Sequence, residues 1–353
     1  MSKQTPWEVY LASKGASFEA YESNNSIARF PKHIQSVQKD TWMCSLDHLG
    51  LISISGPDAS RFLQGQLTCD VNSIDFGQVV DGAGCNPKGR MYTSFTLINV
   101  TDNQDELFWM RSRRSLIESS LENLKKYIVF FKSEMKSLAS QYIGIGIGGT
   151  NAAKCVSTLF GTVPTLLNSA ITHEIGFVLN ASEHSERFEC WVNLAFAEQA
   201  WETCSNLCTP VSTHHWLAQN FANGKAEVSA DTIEMFTPHM LNYPARGAVS
   251  FNKGCYTGQE IVARTEYLGK AKRVLVSATC DETVKNSPPL GSELKIEGKY
   301  AATLVDAIPP YSHNSIDSPY QAQLVIRSEL ASADKVTLES ETGPITLRIS
   351  NPD

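Results

Sequence analysis

The sequence contains no apolar run approaching the roughly 18 residues that a membrane-spanning helix requires, which excludes an integral membrane protein. It opens MSKQTPWEVY, without the positive-then-apolar pattern of a secretory leader. Positive charge is scarce: 30 Lys and Arg stand against 37 Asp and Glu, a net charge of −7. Such a chain is not expected to bind nucleic acid through its overall charge. There is no CxxC pair, which leaves a zinc ribbon or a thioredoxin-type dithiol without support. The nine cysteines are odd in number and scattered, so reduced thiols fit better than a disulfide framework. No tandem repeat is found. Together these absences predict a soluble cytoplasmic protein.

What is present points to a real core. Of the 353 residues, 42% are hydrophobic and only 19% charged, and the length suggests two or three domains. Residues 1–43 are polar and weakly periodic and read as an N-terminal extension with one short helix. Over 44–268, strands and helices alternate irregularly, which favours α+β over a doubly wound parallel sheet. Strands are expected at 49–55, 77–83 and 91–100. A helix is expected over 112–127, with Arg113, Arg114, Lys125 and Lys126 lying off its apolar stripe as a candidate basic stripe. Over 269–353 six strand-like runs, RVLVSATC, SELKIEG, YAATLVDAI, YQAQLVIRS, DKVTLES and PITLRIS, follow one another with no helical pattern between them. This predicts a small all-β domain, a barrel or a sandwich.

Several motifs invite chemistry. Gly144, Gly146 and Gly149 satisfy GxGxxG, but isoleucines fill the gaps as in a strand with one face of glycines. The acidic residue expected roughly 20 positions on is also misplaced, so close backbone approach is the better reading. CNPKGR is turn chemistry between two strands, and Lys88 and Arg90 put two cations near its tip, suited to a phosphate or carboxylate. In QGQLTCDV, the amides of Gln64 and Gln66 with Thr68 and Asp70 suit a flat heterocycle, and suit turn formation equally. Cys204 and Cys208, four apart, read as two small core residues. In HHW, Trp216 offers a ring for stacking, while the adjacent histidines read as a surface helix start. The most specific run is KGCYTGQE. Here Lys253 precedes Cys255 by two residues, Gly254 and Gly258 loosen the backbone, and Tyr256, Gln259 and Glu260 follow. A nearby ammonium favours the thiolate, the form that acts as nucleophile or metal ligand.

In this order FLQGQLTCDV, CNPKGRMY, LENLKKYIVFFK, TPHMLNY, KGCYTGQE and ARTEYLGKAKR resemble the motifs of the YgfZ family. These are folate-binding proteins related to the T-protein (aminomethyltransferase) of the glycine cleavage system. The resemblance covers about 44–275 well and the C-terminal region weakly. It implies two ferredoxin-like α+β modules around a central folate-type cleft, plus a C-terminal β-barrel. It implies tetrahydrofolate or a derivative as cofactor, iron–sulfur enzymes or assembly factors as partners, and support of tRNA modification through them. Cys255, with Lys253, is then the reactive centre. Gln64, Lys88, Arg90, Trp216, Tyr256, Gln259 and Glu260 would be the folate contacts. No resident metal, no membrane and no direct nucleic-acid contact are expected.

The resemblance also has departures. Thr93 and Ser94 stand where the aminomethyltransferases carry paired aspartates, so no glycine-cleavage activity is expected. Leu49 and Ala222 stand where a tryptophan and a pterin-binding glutamate are expected, which predicts folate binding that is weak, altered or lost. Two alternatives stay open: a folate-dependent one-carbon transferase, and a non-catalytic interaction module with a vestigial folate site.

Overall fold

The computed structural model describes residues 4–23, 25–31, 40–101, 106–182, 187–269, 271–280, 284, 287–313, 316–341 and 343–350. The chain divides into two compact units. One comprises Met1–Gln64, Asp70–Asp81 and Phe95–Trp216; the other comprises Gly65–Cys69, Gly82–Ser94 and Leu217–Asp353.

The first unit carries a six-stranded sheet in the order Ala170–His173, Gly176–Asn180, Arg187–Asn193, Tyr142–Gly148, Trp42–Ser45, Thr209–Pro210. All pairings are antiparallel except the last. The strand Tyr142–Gly148 explains the glycine motif. Its side chains alternate across the sheet, and Ile143, Ile145 and Ile147 join one core with the helices Ala152–Phe160 and Ala197–Ser205. On the opposite face a Cβ at Gly146 would lie 2.6 Å from Trp216, and one at Gly148 2.3 Å from Trp42. The missing side chains are the room those indoles occupy, and the close-approach reading of this strand holds.

A five-stranded sheet runs in the order Val79–Cys85, Met91–Asn99, Leu107–Arg113, Leu49–Ser55, Glu134–Ser137. The boundary between the units falls within its first two strands, after Asp81 and after Ser94. The expected helix over 112–127 starts later, at Ile117, because the preceding strand continues through Arg113. Arg113 is buried and paired with Glu22 at 3.4 Å, and Arg114 donates to the carbonyls of Asp47 and Ala139. The expected basic stripe is therefore not formed: two of its four cations face inward on partners.

Residues 1–43 do more than extend the chain. Trp7 and Leu11 from the helix Pro6–Ser13, with Ala28 and Phe30, enter the first unit's core. That helix is a little over two turns long and anchored by only two buried residues, too short for a clear helical period. Residues 1–3, 24 and 32–39 of this segment lie outside the described residues.

The second unit contains a closed six-stranded barrel, in the order Arg273–Cys280, Tyr320–Arg327, Lys299–Ile308, Glu293–Ile296, Lys335–Ser340, Gly343–Ser350. Every pairing among its described residues is antiparallel, and Val276, Leu304, Leu324 and Leu338 fill its core. The six runs singled out in the sequence are its six staves. Closure removes the exposed sheet edges that a sandwich would leave. The molecule is thus mixed α+β with a C-terminal antiparallel barrel. No helix among the described residues is long and apolar enough to cross a membrane.

Candidate functional site

In the second unit three motif segments far apart in sequence come together. Lys253 draws two of them into contact: its ammonium donates to the carbonyls of Leu67 at 2.8 Å and Cys69 at 2.7 Å. It also lies 5.2 Å from the centre of the Tyr256 ring, a cation–π distance. Thr68, between those carbonyls, is bonded on every side. Its Oγ1 donates to the Ala248 carbonyl at 2.7 Å and accepts from Ala83 N at 2.9 Å, and its own carbonyl accepts from Ser250 N at 2.9 Å. Thr257 adds a donation from its hydroxyl to Gln66 Oε1 at 3.3 Å.

The third segment is the turn Asn86–Gly89. Asn86 Oδ1 accepts from the backbone of Lys88 and Arg90 at 2.9 and 3.1 Å, the Asx geometry the sequence suggested. The turn meets the KGCYTGQE loop through glycines on both sides. Gly258 has φ +86, and a Cβ there would lie 2.5 Å from the Asn86 carbonyl; Gly89 has φ +68, and a Cβ there would lie 2.9 Å from Ile261. Both positions combine left-handed backbone with near contact, so glycine is required twice over.

Within this frame Cys255 is exposed, and the next residue, Tyr256, is buried at 6% exposure. The Tyr256 hydroxyl has no hydrogen-bond partner among the described residues. Burial raises its phenol above the ordinary range, with smaller contributions from the nearby Cys85 and Cys69. Burial likewise pushes the Cys85 thiol up to about 12, so it stays protonated. Gln259 and Glu260 form the first turn of the helix Gln259–Leu268, where the exposed Glu260 carboxylate faces the positive end of the helix dipole.

Lys88 and Arg90 line an open cavity of about 540 Å³ with Arg273, Glu234, Glu293 and Thr303. Arg90 also donates to the Met235 carbonyl. Glu234 holds a left-handed φ of +58, fixed by its donation to the Met91 carbonyl at 2.8 Å. Sequence reading did not single out Arg273, which brings a third cation from the first barrel strand. Its signal was a run of alternating basic residues, KAKR, just before that strand.

The remaining expected residues lie in the first unit. Gln64 spends its amide locally, donating to Asp70 Oδ1 and accepting from Val71 N, both at 2.8 Å. Trp216 is 1% exposed, with the Arg187 guanidinium 3.5 Å from the ring centre, so the indole presents no open face to a ligand. The histidines beside it are not on the surface either: His214 Nε2 sits 2.7 Å from Glu19, and His215 packs edge-on to Trp42. Cys204 and Cys208 are buried core residues as expected. A buried ion pair that sequence reading missed joins Arg111 to Glu189 at 3.3 Å; the Arg111 guanidinium donates to Thr96 Oγ1 at 2.7 Å. Among the described residues no group of three or more His, Cys, Asp or Glu is placed to hold a metal ion.

Comparison with known proteins places this arrangement. The chain superposes on the glycine cleavage system aminomethyltransferase T from Bartonella henselae with a TM-score of 0.80, over 99% of this chain and 97% of that one, at 17% identity. The fold is therefore that of the glycine cleavage T-protein, and the family model of the GCVT N-terminal domain matches residues 9–173. Among curated relatives, the tRNA-modifying protein YgfZ of Photorhabdus laumondii is 37% identical over 232 residues, 65% of this chain and 68% of its own length. That of Enterobacter sp. (strain 638) is 34% identical over 247 residues, 69% and 73% of the two chains. The chain belongs to the YgfZ family.

Proposed function

We propose that this protein is a folate-binding accessory factor for iron–sulfur cluster assembly or repair, supporting tRNA modification indirectly through cluster-dependent enzymes, with Cys255 as its reactive group. The relatives' name, tRNA-modifying protein, supports the destination. The observation that carries the reading is the meeting of three motif segments around an exposed thiol. Buried thiols serve packing; a thiol left accessible on a loop pinned this heavily is placed for chemistry. Lys253 acts as a positioning residue, fixing the loop that presents Cys255. Thr93 and Ser94 are buried and carry no carboxylate, which speaks against the aminomethyltransferase reaction.

The residues fit a folate at its acidic end. Lys88, Arg90 and Arg273 line one cavity and suit the carboxylates of the glutamyl tail. The unpartnered Tyr256 hydroxyl, the half-buried Gln259 and the exposed Glu260 offer polar contacts beside Cys255. When bound, the folate supplies a carrier for a one-carbon unit; the chain's residues bind, orient and present the thiol.

The deciding experiment is complementation of a strain lacking its own copy, reading the activity of an iron–sulfur tRNA-thiolating enzyme. Wild-type protein restores that activity and Cys255→Ala does not. Equal rescue by Cys255→Ala overturns the reading. A second reading, a protein-interaction module with a vestigial folate site, is favoured by the closed environment of Trp216 and the locally spent amide of Gln64. Titration with tetrahydrofolate separates the two: saturable binding supports the first, and absence of binding with intact complementation supports the second.

A further inference from the structure

The core of the first unit gathers three thiols at one point. Cys155 lies on the helix Ala152–Phe160, Cys204 on the helix Ala197–Ser205, and Cys208 just past the end of the second helix. Cys155 Sγ is 3.1 Å from Cys204 Sγ, and the Cys208 thiol also hydrogen-bonds Cys155. Cys208 reaches this point because its N–H continues the helical pattern, donating to the Cys204 carbonyl at 2.8 Å. Cys155 and Cys204 are sealed from solvent, while Cys208 keeps 5% of its surface exposed. Sequence reading paired Cys204 with Cys208 alone; the third sulfur comes from 49 positions before Cys204, on the neighbouring helix. A fourth thiol, Cys190, belongs to the same core, and burial holds it protonated.

A single buried thiol is explained by packing. Three thiols bonded through one sulfur are not, since S–H is a weak donor and apolar groups would fill the same space. Among the described residues no group of three or more His, Cys, Asp or Glu is placed to hold a metal ion, so the trio is read as thiol chemistry. The Cys155 and Cys204 sulfurs need to close by only about 1 Å to reach the disulfide length of roughly 2.05 Å. Hydrogen bonds from Cys204 and then Cys208 favour the thiolate on Cys155 against its burial, and the same contacts raise both neighbours. We propose that Cys155, Cys204 and Cys208 form a redox-active thiol centre in which Cys155 closes a reversible disulfide with Cys208, a hydroperoxide being the oxidant and a dithiol the reductant. Cys208 meets the oxidant, as the sulfur with exposed surface. Its sulfur takes one oxygen of the hydroperoxide, the O–O bond breaks, and water or an alcohol leaves. Cys155 then attacks the sulfenic acid: the S–S bond forms, the S–O bond breaks, and the hydroxyl departs as water with the Cys155 proton. Two thiols lose two electrons and one hydroperoxide gains them. Cys204 can displace Cys208 from Cys155 by exchange, which moves the bond without further electron transfer. A dithiol reverses the sequence and itself becomes a disulfide. The bond ties the helix Ala152–Phe160 to the helix Ala197–Ser205 or the turn that ends it. The proposal is independent of folate and of Cys255.

The test treats the full chain with a small excess of hydrogen peroxide, alkylates it in denaturant, and maps the unreduced digest by tandem mass spectrometry. A cross-link from Cys155 to Cys208 or Cys204 forms, two thiols are lost with it, and dithiothreitol restores both. Oxidation raises Tm by about 5 °C or more, because the bond closes a long loop. Cys155→Ala abolishes both the cross-link and the rise in Tm. Cys204→Ala leaves a Cys155–Cys208 bond, and Cys208→Ala slows cross-linking by about tenfold or more, since the remaining thiols are sealed. Cys208→Ala, beyond the helix, carries the test if Cys155→Ala does not fold. The proposal is overturned if all three thiols are still alkylated after peroxide, which means packing alone. It is equally overturned if the cross-links run only through Cys190 or Cys255, or if Cys208→Ala reacts as fast as wild type.

Discussion

The first sheet and the KGCYTGQE site both depend on glycine, and they use it in opposite ways. In the strand Tyr142–Gly148 the glycines are extended, and what matters is the volume they leave to Trp216 and Trp42. At the site, Gly89 and Gly258 are left-handed and bring one main chain against another. Side chains hold the first region together: indoles packed edge to face, a buried ion pair, a guanidinium on a ring. Hydrogen bonds to main-chain atoms hold the second. A glycine pattern therefore means little until the neighbour is known. The GxGxxG match gave tryptophan packing, and the less regular KGCYTGQE gave the convergence point.

The contrast can be broken by substitution. Gly258→Ala adds left-handed strain to a clash with a carbonyl that cannot yield, and is expected to cost about 4 kcal/mol. It should also abolish complementation; denaturant unfolding with near-native activity would show that the turns do not need this contact. Gly146→Ala meets a ring edge instead of backbone and is expected to cost about 2–3 kcal/mol with a shift in tryptophan emission, because a side chain can rotate away. Lys253→Met removes the donor from two carbonyls and should cost about 2 kcal/mol in urea unfolding. A neutral result there would mean the loop is held without its lysine.

Asp47→Asn tests the side-chain region by charge. Burial pushes the carboxyl up to about 6 in the folded chain from its ordinary 3.8, so the folded state holds more protons between those pH values. Wild-type stability must then fall as pH rises from about 4 to about 6. The variant lacks that slope and should gain up to about 2 kcal/mol at neutral pH, with no gain below about pH 4. Parallel urea midpoints for the two chains would exclude the shift. The smallest effect is expected at Gly161, left-handed at φ +70 with nothing within 4 Å of an added Cβ. Gly161→Ala should cost only about 1 kcal/mol, read as a small drop in Tm, and isolates conformation from contact.

Legibility in the sequence follows the same division. The barrel was readable because each stave alternates and is bounded by turn residues, all local signals. The Cys255 loop was readable because eight residues of unlike chemistry stood together. Their meeting with Leu67–Cys69 and Asn86–Gly89 was not, since Lys253 reaches carbonyls 186 and 184 positions away and a carbonyl leaves no mark in a sequence. Arg113 and Arg114 misled for a related reason. Charged residues near a helix start read as exposed, and only the fold supplies the buried Glu22 that pairs with Arg113 and the carbonyls of Asp47 and Ala139 that take Arg114. Trp216 was found, but its burial beneath Arg187 depends on a strand some 30 residues earlier.

The lysine tie has a consequence for descent. Every amino acid carries the same carbonyl, so this grip is indifferent to what occupies positions 67 and 69. As far as the tie is concerned, those positions can drift while the lysine stays, and no correlated replacements would record the partnership. A search for co-evolving pairs would pass over one of the joints on which the loop depends.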